Sequence, residues 1–393
     1  MKILLVCDQF YSANNGMTIS ARRFAAVLKM HGHEVRVLSY GNPEDVEDLS
    51  TAYLLKKQYI PMFDKLVASQ GMTFAKYDEE VADRAVEWAD VIHFLTPFVI
   101  SHNVIKLAQK TGKPFTAAFH VQPENVTASI HLGKANFVND CIYAWFKSFV
   151  FKYCSHIHCP SRFIANELEK HGYKQMLHVI SNGIDPDFVY RKIPKKPEYA
   201  NKFLIVSVGR MSIEKRQDLI ISAVKKSKYF HQIKLVLAGK GPRKESLIAL
   251  AKRLDVPVKI EFFSKSDLLD LLAMSDLYVH ASDMEIEAMS CMEAFACGLV
   301  PIISNSAKSA TPQFALDERS LFEAGNSDDL AKKIDYWVEN NQERVRMEVD
   351  YSESAKKYSL DDCVRQAEEM FELAINESKN IKNENQNTEN LSV

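Results

Sequence analysis

Residues Asp283–Ile302, DMEIEAMSCMEAFACGLVPI, decide how this chain is interpreted. Two glutamates, Glu285 and Glu293, stand eight positions apart in this stretch, just before an apolar run. The preceding LYVHAS has the apolar character of a buried strand, DMEIEAM has the polarity of a loop, and SCMEAFACG predicts a helix that Gly298 ends. A strand, a loop and a helix in this order are typical of a doubly wound α/β fold.

The same alternation of strands and helices extends along most of the chain. Apolar segments such as KILLVCD, EVRVLSY, DVIHFL and PFTAAFH are separated by stretches with helical spacing, which favours a parallel sheet covered on both faces. The alternation pauses at YRKIPKKPEYANK, which contains two prolines and a cluster of lysines, and it resumes at FLIVSVGR. The sequence therefore predicts two doubly wound, Rossmann-like lobes, with ligands bound beyond the carboxyl ends of the strands in a central cleft.

This pattern also predicts the domain boundaries. We expect an N-terminal lobe at residues 1–190, a linker at 191–202, a C-terminal lobe at 203–350, a C-terminal helix at 351–377 and a disordered tail at 378–393. The helix is expected to pack back on the N-terminal lobe. The tail is polar and nearly free of large apolar side chains, a composition typical of disorder.

The composition excludes several classes of protein. The 393 residues are 47% hydrophobic and carry a formal net charge of −2, so the chain is globular in composition and has no general attraction to nucleic acid. Seven cysteines without a CxxC pair argue against a disulfide framework and a zinc site. MKILLVCDQF predicts a strand and not an export signal, and no apolar run reaches the length of about 18 residues that a membrane span needs. We expect a cytoplasmic protein without a metal site.

Two segments of the second lobe carry candidate phosphate ligands. In VSVGRMSIEKRQDL, Gly209 and Arg210 end a strand and Lys215 precedes a helix, an arrangement that suits a diphosphate. A solvated loop with ordinary basic residues is the alternative. In LAGKGPRKESL, Gly239 and Gly241 lack the spacing of a phosphate loop and favour a tight turn.

The two glutamates are candidate sugar ligands. A carboxylate accepts two hydrogen bonds and so fixes both the orientation and the identity of sugar hydroxyls. The alternative for Glu293 is an ordinary exposed position on a helix. The acidic DPD motif at residues 185–187 follows SNGI, and there a turn is favoured over a metal site.

The combination of motifs is specific where each motif alone is weak. The E-x7-E pair followed by AFACGLVPI, downstream of VGRMSIEK, resembles the retaining glycosyltransferases of family four, which have the GT-B fold. NNG after the first strand, PSRFIANEL and ISNGID extend the resemblance over nearly the whole chain.

The resemblance implies roles for individual residues. Arg210 and Lys215 correspond to the cations that hold the donor diphosphate, and Glu293 corresponds to the acid that binds the nucleotide ribose. Glu285 corresponds to the residue that orients the transferred sugar. His120, in AAFHVQPEN, corresponds to the histidine near the sugar. These side chains are the implied catalytic and binding groups.

Backbone positions complete the implied donor site. They are Gly209 after the strand, Gly16 in the first lobe, where backbone approaches the phosphate, and Ile286, Glu287, Ala288 and Met289 beside Glu285. The family often has GFG after the first glutamate, whereas this chain has IEA. This departure puts the contacts of that turn in doubt, and Glu287 is an additional acid without an assigned role.

The acceptor is harder to predict. Residues 134–153 mix aromatic and basic side chains, which suits a membrane interface, and a core helix under the sheet is the alternative. FHVQPEN resembles the subgroup that glycosylates membrane diacylglycerol or related lipids.

The sequence thus predicts an enzyme that moves a hexose from UDP-glucose or UDP-galactose to a membrane lipid, with retention, to give an α-glycolipid. It needs no cofactor beyond the UDP-sugar donor, and it lies peripherally on the inner face of the cell membrane. The alternatives are a transferase of polysaccharide synthesis, a nucleotide-sugar epimerase, which the E-x7-E pair disfavours, and a non-catalytic nucleotide-sugar binder. Glucose versus galactose, and diacylglycerol versus sphingolipid, stay open.

Overall fold

The computed structural model describes residues 1–11, 16–59, 61, 72–129 and 136–390. The chain forms two compact units. The first contains the described residues of 1–127, 136–183 and 360–390, and the second contains residues 128–129 and 184–359. The chain therefore returns to the first unit for its last helix.

The described strands and helices follow in chain order. The strands are β1 (Lys2–Gln9), β2 (Glu34–Tyr40), β3 (Ala52–Leu55), β4 (Lys57–Gln58), β5 (Phe74–Ala75), β6 (Val91–Phe94), β7 (Phe115–Ala118), β8 (His156–Cys159), β9 (Met176–Val179), β10 (Phe203–Val208), β11 (Ile233–Ala238), β12 (Val258–Glu261), β13 (Leu277–His280), β14 (Pro301–Ser304) and β15 (Leu321–Phe322). The helices are α1 (Gly16–Met30), α2 (Glu79–Trp88), α3 (Val99–Thr111), α4 (Pro123–Ser129), α5 (Asn136–Phe149), α6 (Arg162–Lys170), α7 (Gln217–Lys226), α8 (Lys244–Leu254), α9 (Lys265–Met274), α10 (Met289–Ala296), α11 (Ser327–Glu339), α12 (Asn341–Ala355) and α13 (Leu360–Asn390).

The main sheet of the first unit is parallel throughout its described strands. Its strand order is β3-β2-β1-β6-β7-β8-β9. The central strands are apolar along their length, as a sheet buried on both faces requires, and Ile3 and Val91 are fully buried. Helices α1 and α13 pack together in this unit, and their apolar side chains share a core with β1.

The second unit repeats this architecture. Its parallel strands are ordered β12-β11-β10-β13-β14-β15. The order reverses direction between β10 and β13, so the loops that follow these two strands diverge at a topological switch point. Ligands of such sheets bind beyond the carboxyl ends of the strands at this point. The two sheets confirm the prediction of an α/β fold with two doubly wound, Rossmann-like lobes.

The predicted linker at 191–202 is wrong, and so are the limits of 203–350 for the second lobe. These residues belong to the second unit, whose long segment begins at residue 184. Arg191 lies 2.7 Å from the carboxylate of Asp270, Lys192 lies 3.0 Å from that of Glu348, and Tyr199 is only 2% exposed. The basic side chains that resemble a solvated linker are held by acidic partners within the unit.

The C-terminal predictions also need correction. Residues 351–359 lie in the second unit, and the helix of the first unit begins at Leu360 and not at 351. It continues to Asn390, so the predicted disorder is wrong for residues 378–390, and residues 391–393 lie outside the described residues. The tail contains no proline or glycine that would end a helix, and its polarity alone was misleading.

Helix α13 buries one side against the first unit. Val364, Ala367 and Phe371 have exposed fractions of 0%, 1% and 1%, at the three- and four-residue spacing of one helix face. Within the described ranges, no helix combines the length and the apolar character that crossing a membrane requires.

Candidate active site

Two adjacent loops follow β10 and β11 in the second unit. The N–H of Gly209 donates to Ala238 O at 3.0 Å, and the N–H of Met211 donates to Lys240 O at 3.0 Å. A Cβ on Gly239 would lie 2.0 Å from Gly209 O, and a Cβ on Gly241 would lie 2.5 Å from Met211 O. Both glycines thus allow one loop backbone to pack directly on the other, in agreement with a turn.

The loop after β10 places Lys215 against Glu285 from the loop after β13. Lys215 ends a one-turn 3₁₀ helix, and its ammonium contacts Glu285 Oε1. The His280 Nε2 lies 3.1 Å from the same oxygen. Burial alone would raise the pKa of the Glu285 carboxyl, but Lys215 and His280 hold this pKa well below its ordinary value. Glu285 is therefore a carboxylate that can only accept hydrogen bonds.

Backbone hydrogen bonds fix the relative position of these loops. The N–H of Asp283 donates to Glu214 O at 2.8 Å, which ties the β13 loop to the β10 loop. The N–H of Ala310 donates to Glu285 O at 2.8 Å, so a segment after β14 holds the other side. The backbone at Glu285 is thus held by loops that follow three strands of one unit.

The turn between Glu285 and α10 keeps a glycine-like backbone without a glycine. Ala288 has a φ of 69°, in the left-handed region that favours glycine. Glu287 is 1% exposed, so this additional acid is buried beside the turn. The IEA sequence therefore follows the left-handed path at Ala288, at a steric cost of about 1–2 kcal/mol.

The remaining residues predicted for the second lobe lie near the same loops. Glu293 belongs to α10 and is 8% exposed, which excludes an ordinary exposed helix glutamate. Arg210 is half-buried, and its carbonyl oxygen accepts hydrogen bonds from the side chain of Gln217 at 2.9 Å and the N–H of Ser212 at 3.0 Å. Their roles in binding a donor stay predictions.

The first unit contains the other two predicted residues. His120 follows β7, and its ring lies 5.2 Å from that of His158. Burial, with a smaller contribution from His158, lowers the pKa of His120 to about 3, so the imidazole is neutral. His120 lines a cavity of about 20 Å³ together with Ser20 and Asn182. Gly16 is the exposed first residue of α1, and an added Cβ would meet nothing within 4 Å; the two asparagines of NNG lie outside the described residues.

The DPD motif is a turn held by a lysine. The N–H of Asp187 donates to the Asp185 carboxylate at 3.1 Å, and Lys265 lies 2.7 Å and 2.6 Å from the two carboxylates. Across the described residues, no group of three or more His, Cys, Asp or Glu side chains is placed to hold a metal ion.

Sequence reasoning missed His280 and Tyr278. Both lie on β13, are 3% and 0% exposed, and stand two residues apart, so they face the same side of the sheet. The sequence LYVH does carry a signal for them. Tyr278 and His280 place polar atoms at alternate positions of a buried strand, and buried polar atoms need hydrogen-bond partners.

Comparisons with known proteins identify the family to which the chain belongs. Residues 190–357 match the family described as glycosyl transferases group 1, and residues 14–188 match Glycosyltransferase Family 4. The chain is a glycosyltransferase. Together the two matches cover nearly the whole chain and place the enzyme in the GT-B superfamily, with a sugar nucleotide as donor.

Individual relatives of the glycosyltransferase differ in how similar they are and in how much of the chain they match. The GDP-mannose-dependent α-mannosyltransferase of Corynebacterium glutamicum is 24% identical over 324 residues, which cover 77% of this chain and 72% of that protein. Sucrose-phosphate synthase from Thermosynechococcus elongatus has a TM-score of 0.75 at 15% identity, over 95% of this chain and 98% of that chain, and shows the fold. The catalytic domain of cholesterol-α-glucosyltransferase from Helicobacter pylori is 50% identical over 40% of this chain and 99% of that chain, with a TM-score of 0.39.

Proposed function

We propose that the enzyme transfers a hexose from UDP-glucose or UDP-galactose to a hydroxyl of a membrane lipid and gives an α-glycolipid with retention. The part of the proposal that concerns the donor rests on the Lys215–Glu285 pair, which lies at the topological switch point of the second sheet. The acceptor half is supported by an exposed aromatic surface on the first unit.

The donor roles follow from charge and burial. Arg210 and Lys215 would bind the diphosphate, and the N-terminus of α10 would add the partial positive charge of its N–H groups. Glu285, held ionised, would accept hydrogen bonds from hydroxyls of the hexose, and Glu293 would accept them from the ribose. Lys215 pairs with Glu285, so the diphosphate would share this cation with the carboxylate.

The reaction is a substitution on one face of the sugar. The bond between the anomeric carbon and the diphosphate oxygen breaks, the acceptor oxygen bonds to the same carbon from the same face, and the leaving phosphate oxygen takes the acceptor proton. Arg210, Lys215 and the start of α10 would stabilise the negative charge that develops on the diphosphate. His120, kept neutral by burial, would donate or accept a hydrogen bond near the sugar.

Helix α5 has both a core side and an exposed side, so it supports a part of each interpretation of residues 134–153. Tyr143 and Phe146 are 0% and 1% exposed and belong to the core. Phe137 and Trp145 are 78% and 45% exposed. Lys134 lies outside the described residues. Lys147 donates to Gly172 O at 2.6 Å, so this lysine is structural.

Lysines and further aromatic rings adjoin the exposed side of α5. Trp145 stacks on Phe149 with 5.2 Å between ring centroids, and the ammonium groups of Lys106 and Lys152 lie 3.9 Å and 4.8 Å from the ring centroid of Tyr153. We call Phe137 and these five residues the aromatic surface. Amphipathic aromatic rings beside lysines suit the interface of an anionic bilayer, where the lipid acceptor lies.

Release of UDP tests the whole proposal. UDP-glucose, UDP-galactose and GDP-mannose are each supplied with vesicles that contain diacylglycerol, ceramide or a sterol, three membrane lipids with a free hydroxyl. We expect release from one UDP-hexose that depends on one lipid and is lost in Glu293→Ala. The matched control is Glu353→Ala, since the carboxylate of Glu353 only pairs with Lys356 on the surface.

Other outcomes would assign the enzyme a different donor or a different acceptor. Turnover of GDP-mannose alone would overturn the UDP donor, and lipid-independent transfer to soluble oligosaccharide would favour polysaccharide synthesis. For the aromatic surface, Trp145→Ser and Lys152→Glu should reduce sedimentation with anionic vesicles and leave turnover of a detergent-solubilised acceptor unchanged. Equal sedimentation of wild type and variants would contradict membrane contact at this surface.

A further inference from the structure

Two buried polar residues of β13 connect to the Glu285 carboxylate. The His280 Nε2 lies 3.1 Å from Glu285 Oε1, and its Nδ1 lies 3.4 Å from the Tyr278 hydroxyl. That hydroxyl also lies 3.2 Å from Ser290 Oγ and 3.4 Å from Val208 O. Every polar atom of the His280 ring therefore has a partner inside the protein.

The hydrogen-bond partners of His280 assign its tautomer. An ionised carboxylate only accepts, so Nε2 carries the proton that is donated to Glu285, and Nδ1 is the acceptor in the neutral form of the ring. Burial raises the pKa of Tyr278, which keeps its hydroxyl protonated and able to donate. The ionisable groups around the imidazole are Tyr278, Glu285, Lys215 through Glu285, and the buried thiol of Cys291 next to Tyr278.

We propose that His280 is a positioning residue, which holds Oε1 of Glu285 while the donor sugar binds. This inference rests on the donor role proposed above for Glu285. Without donor, Lys215 and His280 share Oε1. When the diphosphate engages the Lys215 ammonium, His280 stays as the protein partner of a carboxylate that is only 8% exposed. A buried carboxylate without a partner rotates or takes up a proton, and either change removes the acceptor that the sugar hydroxyls need.

Packing alone does not explain a histidine at this position. The neighbouring strand presents the fully buried, apolar Ile303 beside His280. An apolar side chain would satisfy such surroundings without the desolvation cost of an imidazole. The polar side chain is therefore expected to act through its partner, Glu285.

Substitution of His280 by glutamine and by asparagine separates the roles of its two ring nitrogens. The amide nitrogen of glutamine reaches about as far as Nε2, whereas that of asparagine reaches only as far as Nδ1. We expect His280→Asn and His280→Leu to lower kcat/KM for the UDP-hexose on the order of 10- to 100-fold, the effect of one hydrogen bond to a charged group. His280→Gln should recover activity to within a few-fold of wild type. Tyr278→Phe should give a smaller loss.

A second readout separates positioning from general damage. UDP lacks the sugar that Glu285 orients, so inhibition by UDP should have the same constant in all four variants and the wild type. Wild-type kcat/KM in His280→Leu and His280→Asn, or equal losses in the Gln and Asn variants together with weaker UDP inhibition, would overturn the proposal. Because Gln and Asn are both polar, the comparison holds even if the Leu variant fails to fold.

Glu285→Gln distinguishes this inference from the proposed function. If Glu285→Gln retains wild-type donor turnover, the donor role of Glu285 is wrong and the inference falls with it. If Glu285→Gln is inactive while His280→Asn is unaffected, the donor role stands and only the positioning role is overturned.

Discussion

Replacing Gly239 by alanine tests whether the packing of two loops sets the geometry of the proposed donor site. Gly239 follows β11, and the added Cβ would lie 2.0 Å from the carbonyl oxygen of Gly209 and 3.0 Å from its carbonyl carbon. Both atoms are backbone, so no side chain can rotate to make room. Gly209 begins the loop that continues into Arg210 and Lys215.

The size of the expected loss of activity follows from the steric overlap between the added Cβ and the Gly209 backbone. Real Cβ atoms essentially never approach closer than 3.0 Å, so one of the two loops must move by about 1 Å. A misplacement of about 1 Å among positioning groups costs about 100-fold in rate, or about 2.7 kcal/mol of the barrier. We expect Gly239→Ala to lose about 100-fold in kcat/KM for the donor, and to lose about 1–3 kcal/mol of stability through overpacking.

Initial rates of UDP release and thermal unfolding measure the two effects. Gly325→Ala is the matched control, because Gly325 lies in the same unit and has a φ of 80° but no atom within 4 Å of an added Cβ. It should lose about 1 kcal/mol of stability with unchanged donor kinetics. Wild-type kcat/KM in Gly239→Ala would refute the reasoning, and so would an equal kinetic loss in both variants.

Three further predictions concern stability. Ala288→Gly should raise the free energy of unfolding by about 1 kcal/mol in urea denaturation, because glycine takes a φ of 69° without steric cost; no gain would contradict the strain. Hydrogen bonds to Asp361 and Glu368 raise the pKa of His31, so this residue stabilises the fold below pH 6.5 and loses the effect as the pH rises through the raised pKa. His31→Gln should therefore lower Tm at pH 6 and leave it unchanged at pH 9; equal loss at both would contradict this. Burial lowers the pKa of His158 to about 4, so stability should fall on the order of 3 kcal/mol between pH 6.5 and 4. His158→Gln should flatten this fall in acid-unfolding curves, and an unchanged slope would exclude His158 as its cause.

The sequence predicts the two sheets because their signal is local. Strands β10 and β11 are each six residues long, contain five apolar residues and are followed by glycine, and helical spacing resumes shortly afterwards. The return of the chain to the first unit has no such signal. Residues 351–377 are helical in character on both sides of the crossing at 359–360, and only the three-dimensional partners separate them.

Long-range pairing limits what the sequence shows of the site. Lys215 and Glu285 are 70 residues apart, and each follows a strand, so their location at one edge of a sheet was predictable. Their direct contact depends on β10 lying beside β13, which follows from the strand order and not from either motif. His280 was missed because a histidine in an apolar strand usually forms its hydrogen bonds within the core. The sequence around it does not indicate that Glu285 is its partner.

The departure from GFG to IEA shows how a motif and its function can separate. The sequence places the contacts of this turn in doubt, since the family's glycines allow backbone conformations that other residues avoid. The structure gives Ala288 the left-handed φ of 69° nevertheless, and α10 begins at the next residue. The backbone thus reaches the start of α10 through the turn that glycine would permit. Alanine in place of glycine lowers the stability of the fold but leaves the backbone path unchanged. What differs chemically is the buried carboxyl group of Glu287, which lies between Glu285 and this turn in sequence.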